Sequence, residues 1–239
     1  MKPLMIPTLS PQFLPPSARS GSQSRIEEEV IRIAREVYEK ERIFLETKSS
    51  TKEVVSFGNL NFGTQAKEKQ KSARDLFTKI GQEQALIAES LASINSPLEY
   101  TMQRFELVKK LLTTKKIGNC DYLNLILQDA LYRMGINTAM IHTQIVNQKR
   151  TQICLDHHFL VTLVDPKTQW HDPKTWGNAL VLDAWAPFFG RASDALTHYK
   201  AVLGVDETIG ESLAFKVNDL HHTVTPYLAE QHAHLVSKP

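Results

Sequence analysis

Ile117-Gly118-Asn119-Cys120-Asp121-Tyr122-Leu123-Asn124-Leu125-Ile126-Leu127-Gln128-Asp129-Ala130-Leu131 is the stretch on which the fold turns. A Gly-Asn turn hands a cysteine directly to an apolar run. Leu123, Ile126, Leu127, Ala130, Leu131 and Met134 recur at the spacing of one buried helical face. Gly135 stands where a helix C-terminus wants a glycine. The spacing therefore predicts a buried amphipathic helix with Cys120 on its first turn. Unsatisfied N–H groups and the helix dipole at that end favour a thiolate over a thiol. A lone cysteine is equally at home as a small buried hydrophobe, so the company it keeps decides between the two readings.

Working outward toward the C-terminus, the pattern becomes strand-like. Residues 138–146 read as a strand, 147–152 as a polar turn, and 153–164 as a longer strand, Ile-Cys-Leu-Asp-His-His-Phe-Leu-Val-Thr-Leu-Val. A loop over 165–178 carries Asp165-Pro166, Asp172-Pro173, Trp170 and Trp176. A third strand spans 179–183 and is stopped by Pro187, a helix is predicted near 192–203, and a further strand at 211–217. The tail from Asn218 has no clear pattern.

Working outward toward the N-terminus, the chain is helical. Ile26, Val30, Ile33, Ala34 and Val37 form a stripe over 25–46, with Ser24 and Glu27 as a capping box. The opposite side, Glu28, Glu29, Arg32, Arg35, Glu36 and Lys40, reads as a solvated face. A second helix over 65–94, with Leu76, Phe77, Ile80, Leu86, Ile87 and Leu91 as its stripe, is expected to break near Gly81. A third begins with Pro97 at its first position and runs to Leu112. Between the first two, 54–63 reads as a short strand or an ordered loop. Residues 1–24 hold five prolines and little apolar periodicity, and read as a disordered leader without the apolar core of a signal peptide. The expected division is a leader over 1–24, a helical region over 25–114 and a core over 115–239.

Composition narrows the function classes. A formal net charge of +2 is too small to argue for a nucleic-acid or membrane-surface partner, and there is no apolar run long enough to span a membrane. With only two cysteines, Cys120 and Cys154, a disulfide framework is excluded. His221, His222, His232 and His234 cluster in the tail, but no thiolate pair or His-Glu-x-x-His pattern accompanies them. They read as solvent-exposed, and neither metal nor cofactor is expected. His142 reads as a strand residue lining the sheet.

A catalytic thiol needs a base, and the base needs an orienting partner. The long strand supplies His157 and His158, and the next strand ends on Asp183. Positions 157 and 183 each lie 13 residues from Trp170. Folding an antiparallel pair about that residue would set this imidazole and this carboxylate side by side. His157 follows Asp156 and shares a strand face with Phe159 and Val161, whereas Cys154, His158 and Leu160 share the other.

Gly-Asn-Cys opening a helix, Asp-His-His-Phe-Leu-Val on a strand and Val-Leu-Asp-Ala-Trp on the next resemble the papain-like thiol enzymes of the transglutaminase-like branch. The likeness is greatest to bacterial secreted-effector versions and covers roughly residues 117–187. It implies Cys120 as nucleophile, His157 as general base and acid, and Asp183 as the orienting residue. His158 stands where that branch usually carries an apolar residue and is the alternative base. No glutamine precedes the thiol in the papain manner; Thr113-Thr114-Lys115 stands there. The Cys120 N–H and the Asn119 side chain are the candidate oxyanion donors. Asn119 reads equally as a turn residue, and Trp185 as a core anchor or a shield for the site. The expected fold is thus α+β, a papain-like core with the thiol helix packed on an antiparallel sheet beside N-terminal helices. The expected activity is cysteine-dependent acyl transfer, as deamidase, transglutaminase or protease, on a protein substrate of a host cell. The expected setting is the cytoplasm, or a host cell reached without a signal peptide. The alternative is a non-catalytic interaction module with an inert Cys120.

Overall fold

The structure, a computed structural model, describes residues 21–44, 48–49, 64–147, 156–163, 168–169 and 171–217. The segment over 54–63, Cys154, Trp170 and the tail histidines lie outside them. Helix α1, Gly21–Phe44, buries Ala34 and Tyr38 and holds its charged side in solvent, where Arg32 meets Glu29 at 2.6 Å and Glu36 at 2.5 Å. It begins before Ser24, so Ser24 is an interior residue and not the predicted cap, and the boundary expected at residue 24 falls inside the helix. The first N–H groups of a helix lack internal partners in any case, so extending it through a polar segment costs little. Strand β1 is the two-residue Lys48–Ser49.

Helix α2, Thr64–Leu91, runs unbroken through Gly81. A Cβ at Gly81 would meet no atom within 4 Å, so the glycine faces open space. Its presence costs only about 1 kcal/mol of helix propensity, too little to break a helix anchored by buried Ile80, Ile87 and Leu91. Leu86, assigned to the same stripe from the sequence, is instead exposed. Helix α3, Pro97–Lys115, starts as predicted, with Ser96 accepting from the Glu99 N–H at 3.4 Å and Pro97 in the first turn. It closes on Lys116 in the left-handed region, φ 53°. That sharp stop releases β2, Ile117–Gly118, which pairs in parallel with β1. Helix α4, Cys120–Arg133, follows at once.

The rest of the chain builds a five-stranded antiparallel sheet from β3 (Ala139–Asn147), β4 (Asp156–Thr162), β5 (Leu180–Asp183), β6 (Phe188–Arg191) and β7 (Glu211–Val217), in the order β6-β5-β4-β3-β7. Helix α5, Ala192–Leu203, joins β6 to β7. Strand β6 was not foreseen: β5 ends at Asp183 and not at Pro187, which instead closes the turn over 184–187 that leads into a further strand. The mixed α+β class with a thiol helix on an antiparallel sheet is the one observed.

Alternation along β4 assigns the two faces of the sheet. Phe159 stacks on Tyr199 of α5 at 4.5 Å between ring centroids, and Trp176 and Phe215 complete that side. His158, one residue away, points to the other side, which α4 covers. The β4–β5 register pairs Leu160 with Leu182 and Val161 with Val181. Continued outward, it sets Asp183 opposite Phe159, two residues from the pairing expected about Trp170. The short helical turn Pro173–Trp176 sits inside the connection and displaces its midpoint. A two-residue slip keeps every side chain on its face, whereas a slip of one would have exchanged them.

Candidate active site

The thiol is placed by its neighbours in the turn. Asn119 is extended, φ −132°, and its side-chain oxygen accepts from the Tyr122 N–H at 2.9 Å, capping α4. This is the turn role weighed for it from the sequence; the cap leaves its amide nitrogen as the group that can still donate toward an oxyanion. Gly118 packs so closely on α3 that a Cβ there would lie 2.5 Å from Leu112 Cδ2. Arg104 of α3 pairs with Asp121 at 2.5 Å, fastening the same turn to the preceding helix. Cys120 itself is 5% exposed.

The imidazole that faces this thiol is that of His158: Cys120 Sγ lies 3.8 Å from His158 Nδ1. His142 sits directly across the β3–β4 ladder from His158, with ring centroids 4.7 Å apart, and Gln144 Nε2 lies 3.4 Å from His142 Nε2. His142 does line the sheet, but it lines it beside the thiol. The half-buried His158 forms the exposed side of this cluster.

The predicted triad is therefore divided. His157 Nε2 lies 2.5 Å from Asp183 Oδ2, and both residues are fully buried. This imidazole packs against Trp185 at 4.6 Å and Tyr199 at 5.4 Å between centroids, on the α5 side of the sheet. Imidazole and carboxylate do meet, as expected, but on the face that the thiol does not use. The physical reason is alternation: β4 can present only one of its adjacent histidines to α4. Of the two histidines weighed from the sequence, the ring that reaches Cys120 is that of His158, the alternative, and not that of His157. Trp185 is buried against the His157 ring, which fits its reading as a core anchor. Burial first, then the neighbouring Asp183 carboxylate, hold the Tyr199 phenol well above its usual range.

Asp183 has a further task. Its Oδ1 accepts from the N–H groups of Trp185 at 2.8 Å and Ala186 at 3.1 Å and from Asn124 Nδ2 at 3.2 Å, so it organises the turn after β5. The Tyr38 hydroxyl donates to its backbone carbonyl at 3.2 Å, joining α1 to the same turn. Asn124 escaped notice in the sequence although its polarity breaks the apolar run of α4 one turn after Cys120. His142 was recoverable too: a hairpin turning about position 150 pairs 142 with 158.

Among the described residues no group of three His, Cys, Asp or Glu side chains is arranged to hold a metal ion, and no helix is long and apolar enough to cross a membrane. A thiol at a helix N-terminus with an imidazole in reach can form a thiolate–imidazolium pair, and such contacts commonly tighten when substrate binds. Models of known protein families, curated proteins and solved structures contain no match to this chain.

Proposed function

We propose that this protein is a cysteine-dependent acyl-transfer enzyme in which Cys120 is the nucleophile and His158 the general base and acid. The observation that carries the reading is the 3.8 Å approach of His158 Nδ1 to a thiol on the first turn of α4. His158 takes the thiol proton and the thiolate attacks a carboxamide or peptide carbonyl. The oxyanion is met by the Cys120 N–H and the Asn119 amide nitrogen. As the C–N bond breaks, the imidazolium returns its proton to the departing ammonia or amine, leaving a thioester on Cys120. Water then resolves the thioester to an acid, or an amine resolves it to a new amide. Deamidation, proteolysis and transamidation share these steps and differ in the groups that enter and leave. The resemblance to papain-like effectors extends the proposal to a host-cell protein as substrate and to delivery into that cell.

A second reading keeps His157 as the base, as the Asp-His-x-Phe motif implies. In its favour stands the buried 2.5 Å His157–Asp183 pair, the imidazole–carboxylate couple such enzymes use. Intact-mass analysis of candidate host proteins after incubation tests the activity: an amide-to-acid mass gain marks deamidation, ammonia loss with coupling marks transamidation, and fragments mark proteolysis. Each change must vanish with folded Cys120→Ala. Turnover retained in that variant refutes the enzyme reading and leaves the interaction module. His157→Ala and His158→Ala, assayed together, choose the base.

A further inference from the structure

The structure assigns to Asn124 the role of a positioning residue that sets the separation of Cys120 and His158 by clamping the backbone of both. This rests on the proposed thiol chemistry and names a residue for it that no motif supplied. Asn124 is completely buried. Its Nδ2 donates to the Cys120 carbonyl at 3.0 Å and to the His158 carbonyl at 2.6 Å, and also reaches Asp183 Oδ1 at 3.2 Å. Its Oδ1 accepts from the Ala184 N–H at 2.9 Å. A backbone N–H can only donate, so this last bond fixes which end of the amide is oxygen. One amide group thus touches the nucleophile's own residue, the base's own residue and the turn behind them.

The geometry has a direct consequence. Cys120 belongs to α4 and His158 to β4, and a helix can slide over a sheet by fractions of an ångström at little cost unless something fixes the two. An amide holding the two carbonyls in common ties the Cα positions of thiol and imidazole to a single rigid group. The Asp183 contact stiffens that group in turn through the Trp185 and Ala186 N–H bonds. Gln128, one turn further along α4, provides an internal contrast. It is also buried and also donates through its amide, to the Thr138 carbonyl at 3.3 Å and the Thr138 hydroxyl at 3.2 Å, but these bonds reach neither member of the pair.

The experiment measures the rate of Cys120 alkylation by iodoacetamide against pH, in the full chain with Cys154 replaced by serine. It compares this parent with Asn124→Ala, Asn124→Asp and Gln128→Ala, each with its thermal midpoint. The expected parent profile has a midpoint below that of an ordinary thiol, about 8.5. Asn124→Ala and Asn124→Asp should move it up toward that value, the aspartate because its carboxylate cannot donate to either carbonyl. Turnover should fall on the order of a hundredfold, the cost of a misplacement of about 1 Å. Gln128→Ala should also lose thermal stability, though less, and keep the parent midpoint. Should Asn124→Ala fail to fold, Asn124→Ser, which retains a short donor, is read in its place. An unchanged midpoint in the folded Asn124 variants, or an equal shift in Gln128→Ala, overturns the positioning role and leaves the proposed chemistry intact. A parent midpoint already that of an ordinary thiol overturns the proposed chemistry, and the positioning role with it.

Discussion

Removing the Asp183 carboxylate should unfold the protein before it reveals anything about catalysis. In Asp183→Ala the His157 ring, the Trp185 and Ala186 N–H groups and one contact of the Asn124 amide lose their acceptor. These groups are buried, and a buried donor deprived of its acceptor costs about 1–3 kcal/mol. Asn124 keeps its two carbonyl partners and relaxation recovers part of the rest, so a loss of about 4–6 kcal/mol is expected. A domain stable by about 5–15 kcal/mol would be brought to the margin of folding. Asp183→Asn retains an oxygen for the two N–H groups and exchanges only the bond to His157, so about 1–3 kcal/mol is expected. Urea denaturation followed by circular dichroism and by tryptophan fluorescence reads both, because Trp185 lies beside the lost group. A variant Asp183→Ala within about 1 kcal/mol of the parent would refute the reasoning, since a buried acceptor cannot leave its donors at so small a cost. If either variant kept its stability and lost all turnover, Asp183 would return to the catalytic apparatus.

The two histidines should separate cleanly: His158→Ala folds and loses the acidic shift of Cys120 alkylation, whereas His157→Ala loses stability because it strands the buried Asp183 carboxylate. Parallel alkylation and urea titrations check this, and the opposite result restores His157 as the base. Asn119→Ala removes the cap of α4 and should cost about 1 kcal/mol of stability, read as a lower urea midpoint at unchanged slope. Gly118→Ala should cost about 1–3 kcal/mol through overpacking, since its new methyl would meet buried Leu112 at 2.5 Å; a neutral outcome in the same titration would mean that Leu112 has room to turn aside.

Much of this arrangement was legible before any coordinates. The start of α4, the start of α3 at Pro97, and the extents of α5 and β7 follow from local chemistry that each segment carries within itself. The β4–β5 register did not, because it depends on how the connection folds, and the helical turn Pro173–Trp176 moved its midpoint by one position. Strand β6 was hidden because Phe188-Phe189-Gly190-Arg191 is too short to show a period. The choice between His157 and His158 lay beyond local reading for a different reason. Alternation guarantees that they face opposite ways, but which side α4 covers is a property of the whole packing. The register about Trp170 and the family resemblance both point to His157, whereas the ring that reaches Cys120 is that of His158.

The burial of Cys120 also determines what can reach it. At 5% exposure little of Cys120 meets solvent, and the half-buried His158 lies 3.8 Å from its sulfur. Small electrophiles are therefore expected to react with it faster than bulky ones. Mixed-disulfide formation with large partners should be slow for the same reason.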